Sequence, residues 1–540
     1  MRNFQLPGRS PVYAANGMAA TSHPLATLTA IQVLTQGGNA MDAAVAACAV
    51  QGVVEPQSTG IGGDCFVLYA PGGKGSVVGY NGSGRAPLAA TAEWYRAQGI
   101  DSIAAGSPHA VTIPGTVDAW ARLADDYGSM GLDELLRPAI RFARDGYPVY
   151  PRVAFDWQRN RDTLSGDRTT AALYLPGGIP PAAGDMHAQP LLAKTLSRIA
   201  ESGRDGFYKG AVAEDMAAYL QSLGGLHSLD DFESAAGEYV DPISTHYRGH
   251  EVFECPPNGQ GLTALIMLKI LSAIEPSGMG PLSAERLHLE IEAARLAYRE
   301  RDRYITDPDA ENVPVAELLS DEHTRRLRTF INREAAMQDL PVVNLPRLNF
   351  PRLNFPSHGD TVYLCVVDRD NNAVSMINSN YYPFGSGLTC PAAGVLLQNR
   401  GVSFSLDPEH ANCIAPGKRP LHTIIPGMLS KDGKIVMPFG VMGGQYQSAG
   451  HVHLLGNMLD YGLDIQAAID LARVFPLPEG DVEVEDGIPE RVRDELSRRG
   501  HRLIRPEVPI GGGQAVWIDY ERGVLIGGSD PRKDGCALGY

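Results

Sequence analysis

Helical spacing marks much of the first two thirds of this chain, and short apolar, β-branched runs mark the part after residue 360. Leu25, Leu28, Ile31 and Leu34 recur at the interval that puts them on one helix face, until Gly37-Gly38-Asn39-Ala40 stops them. An alanine-rich helical run follows from Met41 to Val53. Residues 116–146 and 284–304 also read as helices, the second amphipathic through Leu287, Leu289, Ala293, Leu296 and Ala297. Between these, the glycine loop Ser58-Thr59-Gly60-Ile61-Gly62-Gly63-Asp64 leads into a strand, Cys65–Tyr69. Later, Val362–Asp368 and Ala373–Ile377 flank Arg369-Asp370-Asn371-Asn372, which predicts a hairpin. Helices and strands segregate instead of alternating, so the pattern predicts a layered α+β fold and not a doubly wound sheet.

The stretch 339–359 breaks both patterns. It holds the tandem copy Pro346-Arg347-Leu348-Asn349-Phe350 and Pro351-Arg352-Leu353-Asn354-Phe355. Two prolines five residues apart exclude a helix or a central strand, so this is a linker, where cutting costs least.

At 540 residues the chain exceeds one ordinary core, which predicts two domains or one large interlocked domain. Hydrophobic residues at 44% and charged residues at 20% describe a soluble globular protein. The net charge of −16 and the lack of a Lys/Arg block argue against nucleic acid or an anionic membrane as partner. The seven cysteines are scattered and form no CxxC pair, so neither a disulfide framework nor a zinc site is signalled. The N-terminus lacks an apolar signal core and no run of 18 apolar residues occurs, which leads us to expect a cytoplasmic protein. No GxGxxG, GxxxxGK[ST] or GxSxG motif is present, which removes the usual supports for dinucleotide binding and for the commonest serine-hydrolase design.

Candidate chemistry centres on Thr361, which opens the apolar run directly after Gly359-Asp360. On its own it is a β-favoured strand residue, and a threonine within a chain is a poor nucleophile because nothing takes its proton. Cleavage of the preceding peptide bond would supply the missing base, the new α-amine of Thr361 itself.

Five ordered motifs surround that junction: Gly37 to Ala46, Gly60-Ile61-Gly62-Gly63, Pro114-Gly115-Thr116-Val117, Ala415-Pro416-Gly417-Lys418-Arg419-Pro420 and Gly527-Gly528-Ser529-Asp530-Pro531-Arg532. Through them the chain resembles the γ-glutamyltranspeptidase family of N-terminal-nucleophile hydrolases, from about residue 13 to 540. The resemblance implies an αββα four-layer sandwich and self-cleavage between Asp360 and Thr361. The two pieces, 1–360 and 361–540, would stay together as a heterodimer, with further pairing of such heterodimers open. It implies Thr361 as nucleophile, Ser379 as the second hydroxyl that hydrogen-bonds it (the family usually has threonine there), and Gly443-Gly444 as the oxyanion hole. No metal or organic cofactor is implied, because the reaction requires none. His451 and His453, two residues apart at the start of an apolar helical stretch, read as structural histidines.

The substrate pocket departs from the family pattern. Ser403 stands where glutathione-acting members place an aspartate that holds the substrate α-amine, and Arg400 replaces a glutamine three residues earlier. A serine offers an ammonium no charge-assisted partner, and a nearby arginine repels it. His422 and Thr423 replace a Ser-Ser pair, Tyr381 replaces an asparagine, and the arginine that would clamp a carboxylate is displaced two places to Arg85. The expected pocket keeps a carboxylate clamp (Arg85, Arg400) and loses its ammonium anchor. That suits an amide of a small acid such as oxamate. The rival readings are a glutathione hydrolase or γ-glutamyltransferase, more distantly a cephalosporin-acylase-type enzyme, and from another class an unprocessed, non-catalytic scaffold.

Overall fold

The computed structural model describes residues 8–338, 359 and 361–540. Two seven-stranded antiparallel sheets lie face to face. Edge to edge, the first runs Cys536–Gly539, Met18–Thr21, Val362–Val367, Ala373–Ser379, Asp64–Ala70, Val78–Gly82 and Glu238–Val240. The second runs Val12–Ala14, Val524–Ser529, Gly512–Asp519, Lys434–Met442, Gly427–Lys431, His250–Glu254 and Ile243–Tyr247.

Three apolar layers explain why the central strands carry no polar alternation. Tyr363, Cys365 and Val367 point between the sheets, where they meet Phe66, Met428, Val516 and Ile518. Leu364 and Val366 point the other way, into a layer with Val45, Val50 and Trp120 from the helices Ala40–Val54 and Thr116–Tyr127. The second sheet covers its outer face in the same manner, Leu429, Phe439 and Val441 packing with Leu265, Leu296 and Val452. Strands buried on both faces read as unbroken apolar runs. The layer order is therefore αββα.

Local signals hold where the chain is self-contained. The first helical region splits into Pro24–Thr35 and Ala40–Val54, with Gly37 at φ 101° in the break. Asn39 caps the second helix: its side chain accepts from the Met41 and Asp42 amides, while the Asp42 carboxylate accepts from the Asn39 amide at 2.8 Å. Every residue of Ala40–Val54 is buried, which is why small side chains dominate it. The helix expected over 116–146 is instead two, Thr116–Tyr127 and Leu132–Asp145. Between them, Asp42 draws in the amides of Ser129 and Met130. The helix expected over 284–304 forms as Ala284–Tyr304. Among the described residues no helix is long and apolar enough to cross a membrane. Apart from Gly359, the expected linker over 339–359 lies outside the described residues.

The junction before Thr361 does not divide the fold into halves. Val362–Val367 pairs on one side with Met18–Thr21 and on the other with Ala373–Ser379. Each sheet mixes strands from before and after the junction, so the two segments complete each other's sheets.

Candidate active site

Strand register decides which hydroxyls meet. Val362 pairs with Asn378, which brings Thr361 opposite Ser379, and Ser379 in turn pairs with Asp64 on the next strand. Thr361 is 1% exposed, and its Oγ1 lies 3.0 Å from Ser379 Oγ. The Tyr381 amide donates to Ser379 Oγ at 2.9 Å and fixes that hydroxyl beside Thr361. Tyr381 itself turns through a left-handed φ of 78°, a conformation that a residue with a large side chain holds only when its surroundings impose it.

Gly443 and Gly444 form the turn between the strand Lys434–Met442 and the helix Gln447–Leu459, at φ 121° and 58°. Glycine is required here on two counts, conformation and space. A Cβ on Gly444 would lie 2.6 Å from the Gly359 amide nitrogen, so the chain leading into Thr361 crosses directly over this turn. The Gln260 side-chain amide donates to the Gly444 carbonyl at 3.1 Å and to the Thr423 carbonyl at 2.7 Å. Gln260 Oε1 in turn accepts from Arg301, which also donates to Gln445. Successive left-handed amides held rigidly from outside make a concave donor pair of the kind that receives an oxyanion.

Below the hydroxyls lies a network that fills one carboxylate, that of Asp64. Asp64 Oδ1 accepts from the Gly84 amide at 2.9 Å, the Gly115 amide at 3.2 Å and Gln398 Nε2 at 2.9 Å. Its Oδ2 accepts from His422 Nε2 at 2.9 Å, and His422 Nδ1 accepts from the Ile424 amide at 3.3 Å. Both ring nitrogens of His422 are therefore engaged. Burial, and secondarily Arg400, lower its pKa to about 4, so it is a neutral imidazole at physiological pH.

The neighbouring wall, around Arg400, is not saturated. Arg400 is fully buried, with its guanidinium carbon 3.8 Å from the centre of the Tyr381 ring. Its Nη1 donates to Thr423 Oγ1 at 2.8 Å, yet Nε and Nη2 have no partner among the described residues. The buried Tyr381 hydroxyl has the Ser403 hydroxyl and the Gln445 side-chain amide as its hydrogen-bonding neighbours. Burial lowers the Arg400 pKa to about 10, against the pull of Tyr381, Asp64 and Tyr382, so it stays a cation. Tyr382, whose ring centre is 4.6 Å from that of Tyr381, lines a cavity of about 340 Å³ with Asn160, Thr163 and Ser386.

Of the residues singled out by sequence, the structure groups Thr361, Ser379, Tyr381, Arg400, Ser403, Thr423, Gly443 and Gly444. Asp360 lies outside the described residues. Two expectations need correction. Arg85 pairs with Asp307 at 3.4 Å and Asp309 at 3.2 Å and donates to the Gly417 carbonyl at 3.0 Å, so its charge is answered without a substrate. His422 faces Asp64 instead of an open pocket. His451 and His453, which have no acidic neighbour in sequence, each meet one in space: Glu254 at 2.7 Å and Glu290 at 3.0 Å. Sequence reasoning missed Asp64, Gln260 and Arg301. Asp64 was visible only as the residue closing a glycine loop, a position typical of a turn-stabilising aspartate.

A family model described as Gamma-glutamyltranspeptidase matches residues 26–540. The chain belongs to this family. With the layered architecture above, it is an N-terminal-nucleophile hydrolase by fold. Among its relatives, the glutathione hydrolase-like YwrD proenzyme of Bacillus subtilis is 36% identical over 98% of this chain and 99% of that protein. The oxamate amidohydrolase proenzyme of Klebsiella pneumoniae is 32% identical, again over 98% and 99%. The crystal structure of a cephalosporin acylase from Bacillus halodurans superposes with a TM-score of 0.92 at 40% identity, over 100% of this chain and 99% of that one.

Proposed function

We propose that this γ-glutamyltranspeptidase-family protein is a precursor that cuts its own backbone between Asp360 and Thr361. It then hydrolyses the amide of a small carboxylic acid through an ester on Thr361. In the first step Thr361 Oγ attacks the Asp360 carbonyl, the acyl group shifts from nitrogen to oxygen, and water releases the two chains. In the second, the same oxygen attacks the substrate amide while the freed α-amine takes and returns the proton. Such an amine titrates near pH ~8 without tuning, so part of it is neutral at cytoplasmic pH. Ser379 orients the nucleophile, and the Gly443-Gly444 amides receive the charge that develops on the carbonyl oxygen. Proenzyme names among the relatives support the processing step.

The observation that carries the substrate class is the buried Arg400 guanidinium, two of whose nitrogens have no partner among the described residues. A planar carboxylate fits those donors, and a substrate ammonium would face the same cation. Asp64 cannot replace the missing anchor, because four donors already occupy its oxygens. Action on γ-glutamyl compounds is the second reading, favoured by the name of the YwrD relative. Ammonia release from oxamate, measured beside hydrolysis of a γ-glutamyl anilide on the same processed enzyme, separates them. Turnover of oxamate with the anilide nearly inert is expected, and saturable anilide turnover at low substrate concentration would reverse the assignment. Thr361→Ala should give one uncut, inactive band. A mature second chain that begins at any other residue contradicts the mechanism.

A further inference from the structure

Away from the Thr361 site, three metal-ligating side chains converge beneath the stretch that precedes residue 339. His288 and Glu292 sit one turn apart on the helix Ala284–Tyr304, and His501 lies between the helix Glu490–Arg498 and the strand Arg502–Ile504. One ligand atom from each lies within 4.8 Å of the other two, and all three residues are buried. We propose that these residues bind a divalent transition ion of the zinc class, which clasps the end of the 1–360 segment to the 361–540 segment.

The tautomers are set for this. His288 Nε2 lies 2.7 Å from the Asn332 carbonyl, which can only accept, so that nitrogen carries the hydrogen and Nδ1 presents its lone pair. A backbone carbonyl on the far nitrogen is the outer-shell support that ligating histidines usually have. The bare Nδ1 faces His501 Nε2 at 2.7 Å. Two nitrogens bound to one tetrahedral ion at about 2.0–2.1 Å stand roughly 3.3 Å apart, so the rings must part by about 0.6 Å. The hydrogen between them moves to His501 Nδ1 or to water as the ion enters. The Arg295 and Arg499 side chains lie close enough to His501 to act on its charge. Glu292 accepts from Arg295 at 3.1 Å and from the Met337 amide at 2.8 Å, and a carboxylate with about four acceptor positions retains room for an ion. The same two arginines repel a dication, so micromolar affinity is expected in place of the tighter binding of an all-neutral shell.

The location gives the site its consequence. Asn332 and Met337 bond to the ligands themselves, and the Ala336 amide donates to the Arg499 carbonyl at 2.7 Å. An ion here ties the 332–337 stretch, the 284–304 helix and the 499–501 turn at one point, which cutting at residue 360 leaves untouched.

The test uses full-length protein stripped with chelator and titrated with zinc, then with cobalt(II). One equivalent should bind per chain, cobalt should show the intense visible bands of a four-coordinate ion, and the melting temperature should rise with metal. His501→Gln and Glu292→Gln should each lose the cobalt bands and the thermal shift. Wild-type protein that takes up no saturable equivalent, or variants that bind as well as wild type, would overturn the proposal. Should a variant fail to fold, the wild-type cobalt spectrum alone decides: bands of an octahedral aqua ion count against it.

Discussion

The two walls beside Thr361 differ in whether their buried charges have partners. Around Asp64, four donors fill one carboxylate and both nitrogens of His422 are bonded. Around Arg400, two guanidinium nitrogens have none among the described residues. A buried polar group without a partner costs free energy, so a fold keeps several together only where something outside the chain completes them. The Asp64 wall therefore reads as scaffold and the Arg400 wall as recognition surface, although both are buried.

Substitutions on the two walls should fail in opposite ways. The largest effect is expected from Asp64→Ala, which strands two backbone amides, Gln398 and His422 together. A stability loss of about 3–5 kcal/mol should appear in denaturant unfolding. A loss under about 1 kcal/mol would mean that the wall is not structural. Arg400→Met should reverse the pattern. Removal of an incompletely paired buried charge leaves stability unchanged or raises it, while the lost carboxylate contact, worth about 2–5 kcal/mol, raises KM for the small-acid amide roughly thirtyfold or more. Parallel loss of folding and activity would erase the distinction between the walls. Ser403→Asp would pair with Arg400 and cancel it. A fall of roughly tenfold in kcat/KM for the acid amide, about 1.4 kcal/mol, should accompany a gain on a γ-glutamyl substrate, both read from initial rates.

Smallest at neutral pH is the titration of His422. Its pKa is lowered to about 4 in the folded protein against an ordinary 6.5, so below pH 6.5 the unfolded chain binds the proton more readily. The stabilisation is complete above pH 6.5 and is lost as pH falls toward 4. His422→Asn should flatten the stability-against-pH curve in that window by up to one proton, about 1.4 kcal/mol per pH unit. An unchanged slope would show that His422 keeps its proton in both states.

Much of the fold was legible because its signals are local. The hairpin of Val362–Val367 and Ala373–Ser379, the break at Gly37 to Asn39 and the helix Ala284–Tyr304 each follow from residues a few positions apart. Thr361, Ser379 and the paired glycines were singled out through the family resemblance, since spacing alone leaves Thr361 a β-favoured strand residue. Arg85 could not be read this way. Whether an arginine clamps a ligand depends on what faces it, and Asp307 and Asp309 arrive from more than two hundred residues away. The same holds for the Glu254 and Glu290 partners of His451 and His453, and for the meeting of His288 with His501.

Taken alone, the sequence determined most element types, the layered class and the absence of an acidic residue at position 403, since each is a matter of residue identity and short-range spacing. Tertiary structure decided which charges are already neutralised. Asp64 and Arg400 are both charged residues next to strands or turns, and no local pattern tells them apart. Only the packing of distant strands gives one carboxylate four donors and leaves two nitrogens of one guanidinium unanswered, because long-range contacts, not propensities, set what each buried charge finds beside it.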